Sequence, residues 1–391
     1  MRKHLSLLLV IASVLSLFGC KKEVIKSDTP TTTEPTEPIE SEPTIPELST
    51  DITQRPLYTL SLIPVTNITK ASNGTIIFKE IYQTPTLLLP EPGIANKVQL
   101  DLMNRLDNDA QAIAAAVTEA NNAYTGSAEW SPHLMQIKYE PQRLDPGILS
   151  LYGARVTYSG GAHAAYTGES VSYDLLTGNV VTLSDILCNG TTYKTIVNLV
   201  NNSLSAIRTN TQLFNDYEIL VSEILGNDLQ KVKNWYFNNQ GLCFYFNPYD
   251  IAPFSSGTIT ATIPYSSLVG ILEDAYFPAE KDNVKGTVNV VRFTDTALQT
   301  FNHYSELILD KNGTTFLVYT DTAVSDFRVY ISNEPSTGEK DLVFTAYTLT
   351  PGDAITISAN FTVREIFIRY ESGGETIENT INLSGNTVTI Q

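Results

Sequence analysis

The sequence predicts an α+β fold: two mixed modules with antiparallel sheets and packed helices, followed by an all-β C-terminal domain. Three observations predict it. Apolar and polar residues alternate with a period of two in many segments after residue 57, whereas helical spacing of apolar residues is confined to a few segments. A polar, charged break at 278–285 separates this mixed part from a final part with strand-like alternation. The 391-residue chain is long enough for two or three domains.

The first twenty residues have the order of a secretory signal. Two basic residues precede an apolar run at 5–18, and Gly19 and Cys20 follow that run. The run is too short to span a bilayer comfortably, and its ending resembles the lipobox of bacterial lipoproteins. The resemblance implies that residues 1–19 are removed and that Cys20 carries the lipid of an extracytoplasmic membrane anchor. An ordinary signal peptide and an uncleaved anchor are the alternatives.

Residues 20–56 are expected to form a linker behind the lipidated cysteine. Prolines alternate there with threonine and glutamate. A segment of this composition cannot bury enough apolar surface to fold, so we expect it to be disordered or extended. It would then act as a spacer between the membrane and the folded part, without a catalytic role.

The charge balance restricts the partners of the protein. The net charge is −17, from 42 acidic and 25 basic residues. An excess of this size disfavours nucleic acid and anionic lipid surfaces as partners. It favours a basic protein, although acidic surfaces also serve solubility alone.

The first mixed module is expected over 57–157. Asn73 and Gly74 are a hairpin turn signal between two extended segments. The clearest helix is expected over 96–123, and strands are expected to resume from Met135. The apolar stripe of that helix consists of Val98, Leu102, Leu106, Ala110, Ile113 and Val117.

The second module is expected over 158–277. A second helix begins near Thr191, and aromatic residues predict paired strands over 235–246. A further strand is expected over 258–263, followed by a short final helix over 266–275.

The last part, 286–391, is expected to be an antiparallel β-sandwich, and an immunoglobulin-like topology is the specific order we predict within that class. Short strands with regularly spaced turn signals predict it. The alternating apolar positions include Val288, Val290, Phe316, Val318, Phe327, Val329, Ile331, Ile355, Ile357, Ile366 and Ile368.

The middle of the chain resembles a bacterial extracytoplasmic domain family of no assigned general function. Residues 158–163, YSGGAH, are similar to the family signature Tyr-Thr-Gly-Gly-Ala-His. Further similar segments follow in the family order at 183–187, 241–246, 247–254 and 263–265. In that family the domain forms the extracellular half of a lysozyme-sensing anti-sigma factor and precedes the catalytic domain of a peptidoglycan deacetylase. The segment 57–150 is similar to the deacetylase-type module that usually precedes the domain.

The resemblance implies binding of an envelope ligand, either peptidoglycan fragments or a basic protein such as lysozyme. It does not imply deacetylase chemistry, which belongs to a separate metal-binding domain with paired histidines. After residue 20 the chain has three histidines, His133, His163 and His303, without HxxxH or HExxH spacing. We therefore expect no metal and no cofactor. A cell-wall sugar hydrolase or deacetylase and a surface scaffold or adhesin component are the alternative functions.

The candidate ligand-binding residues lie in the signature and in the aromatic segment after it. Aromatic rings beside Asn and Asp suit stacking on a sugar or a protein hot spot. They also suit a strand end that packs on its own core. Trp130 is a candidate anchor on the same terms. The candidates are Tyr158, His163, Tyr245, Asn247, Tyr249, Asp250 and Phe254.

Two features have competing interpretations. His163 lies beside two glycines, so it is either a catalytic base or a structural residue at a tight turn, and no nucleophile motif accompanies it. Cys188 and Cys243 can form a disulfide outside the cytoplasm or remain two free thiols.

Overall fold

The structure is a computed structural model. The residues that it describes are 57–107, 109–127, 129–279, 281, 284–332, 339–361, 365–384 and 387–391. The predicted signal peptide 1–19, Cys20 and the rest of the linker 20–56 lie outside the described residues. Within the described residues, no helix combines the length and the apolar character needed to cross a membrane.

The first region begins with a hairpin and continues through two helices to a three-stranded meander. The Asn73–Gly74 turn between the first two strands is confirmed, with Gly74 at φ 87°. The elements are β1 (Thr59–Lys70), β2 (Ile76–Leu88), α1 (Pro92–Leu106), α2 (Ala110–Ala123), β3 (His133–Leu144), β4 (Ile148–Tyr158) and β5 (Ala165–Asp174).

The single helix expected over 96–123 is wrong, because the chain forms two helices there. Asp107 is extended at the end of α1, and the Asp109 side chain caps α2 by accepting hydrogen bonds from the backbone N–H of Gln111 (2.7 Å) and Ala112 (3.3 Å). Aspartate side chains compete for backbone donors in this way and favour caps over helix interiors. The two helices pack on separate apolar clusters.

The second region packs helices on one face of a small sheet. The helix predicted near Thr191 and the aromatic strands are confirmed, and Thr192 caps the helix by accepting from the Thr195 N–H. The elements are β6 (Asn179–Val180), α3 (Tyr193–Ile207), α4 (Tyr217–Leu225), β7 (Trp235–Phe237), β8 (Gly241–Phe246) and β9 (Ile259–Pro264). The order of the three-stranded sheet is β7-β8-β9.

The α-helix expected over 266–275 is wrong. Two short 3-10 turns, Tyr265–Ser267 and Asp274–Tyr276, occupy the segment instead. Gly270 between them has φ 73°, outside the helical region, and Leu272 pairs with Leu187 in an isolated bridge. The backbone at Leu272 therefore pairs with Leu187 and does not form helical hydrogen bonds.

In the described parts of the C-terminal region, the four-residue turn α5 (Asp295–Leu298) is the one helical element among β-strands and loops. Its strands are β10 (Val288–Arg292), β11 (His303–Ile308), β12 (Thr314–Thr320), β13 (Val324–Ser332), β14 (Asp341–Leu349), β15 (Asp353–Ala359), β16 (Glu365–Ser372), β17 (Glu375–Ser384) and β18 (Thr387–Ile390). A four-stranded sheet, β10-β12-β15-β11, shares an apolar core with β13, β14 and β16.

The immunoglobulin-like topology is not confirmed. Strand β11 pairs in parallel with β15, from His303 opposite Asp353 to Ile308 opposite Ser358. In addition, β14 pairs with β1 from the first region, with Thr59 opposite Ala346. Backbone pairing therefore joins the C-terminal region to the first region directly.

One eleven-stranded sheet results from this pairing. Its order is β18-β17-β16-β13-β14-β1-β2-β3-β4-β5-β6. All its described pairs are antiparallel except β2 with β3, which are parallel and are connected through α1 and α2. A parallel pair requires such a crossover connection. The α+β prediction with large antiparallel sheets is thus confirmed.

Candidate functional site

Two loops meet beyond the ends of β4 and β8. The first, at 159–164, carries most of the YSGGAH signature and turns through Gly160 and Gly161, which have φ 95° and 102°. The second, at 247–258, follows β8. The exposed His163 ring stacks on Phe254 with 4.1 Å between ring centroids, and the Tyr249 ring lies 5.5 Å from Phe254. We call His163, Tyr249 and Phe254 the aromatic cluster.

Tyr249 is presented to solvent by a hydrogen-bonded turn. Its side chain is 62% exposed and its φ is 74°, a conformation that tyrosine rarely adopts. The turn is held by the Asp250 carboxylate, which accepts a hydrogen bond from the Asn247 N–H at 2.6 Å, and by the Tyr249 N–H, which donates to the Ala252 carbonyl at 3.1 Å. Burial raises the pKa of the Asp250 carboxyl. Strain of this kind persists only where surrounding contacts enforce it.

Two of the predicted ligand residues attach the second loop to the large sheet. The Asn247 side-chain oxygen accepts from the Gly168 N–H at 2.6 Å, and the Tyr245 hydroxyl donates to the Gly168 carbonyl at 3.3 Å. Tyr245 is 3% exposed, and burial raises its pKa to about 12. Tyr245, Asn247 and Asp250 therefore position the aromatic cluster, while His163, Tyr249 and Phe254 form its surface.

Tyr158 supports the signature loop and belongs to a second series of rings. Its hydroxyl donates to the Gly161 carbonyl at 3.3 Å, and its ring lies edge-on to His133 at 6.5 Å. His133 stacks on Trp130, which contacts Tyr124 edge-on, each at 5.3 Å. Trp130 is thus half-buried among other rings, and its contacts with Tyr124 and His133 have no signature in the sequence.

Within the described residues, the hydrogen bonding of the His163 ring is confined to its own loop. Among the described residues its ring hydrogen-bonds to the Ala164 carbonyl through Nδ1, at 3.3 Å. General-base chemistry requires a nucleophile or an orienting acid within hydrogen-bonding reach. Over the same residues, no three His, Cys, Asp or Glu side chains converge as metal ligands.

The two cysteines that follow residue 20 are free thiols, which is one of the two alternatives that the sequence left open. Cys243 faces Tyr236 and Tyr245 on one side of the small sheet, whereas Cys188 follows Leu187, which packs in the core on the other side. Burial raises the pKa of Cys243 to about 11. Cys243 is thus buried among tyrosines, and Cys188 is half-buried and not bonded to it.

Residues 184–266 match a protein family described as "Protein of unknown function (DUF3298)". A solved DUF3298 family structure from Bacteroides fragilis is 17% identical, with a TM-score of 0.41, covering 56% of this chain and 94% of its own. A DUF3298 family protein from Pseudomonas aeruginosa is also 17% identical, with a TM-score of 0.39, covering 59% of this chain and 100% of its own. No curated protein matches the chain. The chain thus contains a DUF3298 domain at 184–266.

Proposed function

We propose that this protein is a non-catalytic, lipid-anchored binding protein of the cell envelope, and that its ligand contacts the aromatic cluster. The observation that carries the proposal is the exposed Tyr249 ring, held at φ 74° beside the stacked pair of His163 and Phe254. The hydrogen bond between Asn247 and Gly168 fixes this arrangement to the large sheet. Rings fixed in advance lose little conformational entropy when they bind, which favours affinity.

A glycan, such as a peptidoglycan fragment, is the ligand that this surface suits best. Tyrosine and phenylalanine offer flat apolar faces, and the tyrosine hydroxyl adds a polar group at the rim. The apolar faces of sugar rings stack on such surfaces. The resemblance of 57–277 to envelope modules of a lysozyme-sensing anti-sigma factor and a peptidoglycan deacetylase supports the same class of ligand.

A basic protein such as lysozyme is the second candidate, and the net charge of −17 favours it. Opposite charges accelerate association by electrostatic steering, and this contribution decreases as salt increases. The salt dependence therefore distinguishes the two candidates, because ring stacking on a neutral sugar depends little on ionic strength.

We expect Tyr249→Ala and Phe254→Ala each to weaken ligand binding about tenfold or more, because aromatic anchors at the centre of an interface contribute about 2 kcal/mol or more. Isothermal titration calorimetry with soluble muropeptides and, separately, with lysozyme at low and high salt measures the effect. Tyr304→Ala is the matched control, since Tyr304 is 50% exposed on β11, in another sheet. Equal affinities of all three variants for both ligands would contradict the proposal.

We expect the anchor to depend on one thiol. The wild-type protein should incorporate labelled palmitate and remain with the membrane fraction, whereas Cys20→Ser should incorporate none, because acyl chains on that cysteine provide the membrane affinity. Cys188→Ser is the control and should retain the label. An unmodified N-terminal methionine in the mass spectrum of the wild-type protein would contradict the anchor.

A further inference from the structure

A cavity lies beside the outer edge of β5, apart from the aromatic cluster. Its volume is about 270 Å³. Segments from α1, from the end of β6 and from 230–235 enclose it together with β5. Its lining includes Arg105, Ser170, Ser172, Lys233 and Trp235.

The edge of β5 has one position at this cavity, Ser170, whose backbone is unpaired in the described part of the chain. The Ser170 hydroxyl is hydrogen-bonded to the carbonyls of Lys233 (2.9 Å) and Trp235 (2.6 Å), which places this segment beside the edge. Strand β6 covers only the last two residues of β5, and beyond them the Ser172 carbonyl accepts from the Val181 N–H at 3.0 Å. Further from β6, the N–H and carbonyl of Gly168 are occupied by Asn247 and Tyr245. Because alternate residues of a strand face the same edge, Ser170 also faces outward. Its backbone N–H and carbonyl have no partner among the described residues.

The described lining of the cavity is basic, whereas the chain as a whole is acidic. Arg105 and Lys233 line it, and none of its lining residues is acidic, although the chain has 42 acidic and 25 basic residues. Asp101 accepts from the Arg105 Nε at 2.6 Å, which holds the guanidinium beside the cavity and offsets part of its charge. Lys233 is exposed and forms no ion pair within the described part of the chain.

We propose that this cavity binds the C-terminal end of a short extended peptide. The peptide backbone pairs with the N–H and carbonyl of Ser170, as in strand addition to a sheet edge. Its terminal carboxylate lies between Lys233 and Arg105, and its last side chain packs on Trp235. The cavity is smaller than a typical drug-sized site, so it accommodates about two residues.

The test measures binding of N-acetyl-alanyl-alanine to the full-length protein by calorimetry. The free acid should bind. The affinity for the C-terminal amide should be lower by about tenfold or more, because a charge-assisted hydrogen bond is lost. Separate L,L and D,D probes distinguish the end of a secreted protein from a cell-wall stem peptide. A preference for either form supports the site and identifies the source.

Lys233→Gln should weaken binding of the acid about tenfold and leave binding of the amide unchanged. Lys231→Gln is the matched control, since Lys231 is exposed two residues away and pairs with Asp228. The affinity of this variant for the acid should stay within about twofold of wild type. Equal binding of acid and amide, equal effects of the two lysine variants, or no binding of any probe would overturn the site. These outcomes are independent of the Tyr249 and Phe254 variants.

Discussion

Arg143→Met is expected to lower the free energy of unfolding by about 3–5 kcal/mol, because it leaves a buried carboxylate without its partner. The Arg143 and Asp145 side chains are 1% and 5% exposed, and their ion pair is 2.6 Å long. The guanidinium also donates to the carbonyls of Tyr276 (2.6 Å) and Phe277 (3.0 Å) and lies over the Phe237 ring. Arg143 thus connects the β3–β4 hairpin to the end of the second region.

Urea denaturation followed by circular dichroism measures this loss. Arg155→Met is the matched control, since Arg155 pairs with Glu169 at 3.2 Å with both side chains about one-third exposed. Exposed pairs contribute about 0–1 kcal/mol. Adding Asp145→Asn to Arg143→Met should restore part of the stability, because the unpaired charge is removed. A loss for Arg143→Met no larger than for the Arg155 variant would contradict the assignment.

Gly153→Ala is expected to destabilise the protein by about 3 kcal/mol or more, because two strands approach too closely for a side chain. Gly153 on β4 lies opposite Tyr139 on β3. A Cβ atom there would overlap the Lys138 carbonyl oxygen and lie 2.7 Å from the Tyr139 Cα. The added Cβ atom can be accommodated only if β3 and β4 separate. This separation breaks the backbone hydrogen bonds between the two strands.

The matched control for this prediction is Gly93→Ala. Gly93 lies in the first turn of α1, and a Cβ atom added there would have no neighbouring atom within 4 Å. The change should therefore leave stability unchanged or raise it by about 0.5 kcal/mol, because alanine loses less conformational entropy than glycine in a helix. Thermal unfolding should show a lower melting temperature for Gly153→Ala alone. Similar melting temperatures for the two variants would show that β3 and β4 tolerate a wider separation.

The aromatic cluster shows how far sequence reasoning reaches for a site. The composition of 245–254 made Tyr249 and Phe254 candidate ligand residues, and the signature made His163 one. The stacking of His163 on Phe254 joins residues far apart in the chain, and the hydrogen bonds of Gly168 place the two loops together. Burial decides which candidates are exposed on the surface and which support the loop. The composition of the segment does not predict burial.

The local elements of this protein follow from its sequence. Asn73 and Gly74 define a hairpin, Thr192 begins a helix, and alternation identifies most strands, because turn geometry, capping and strand periodicity depend on neighbouring residues. Three features required the three-dimensional fold: the pairing of β1 with β14, the parallel pairing of β11 with β15 and the burial of Arg143. These depend on contacts between residues far apart in the chain, which compete with many similar alternatives and are selected by packing of the whole fold.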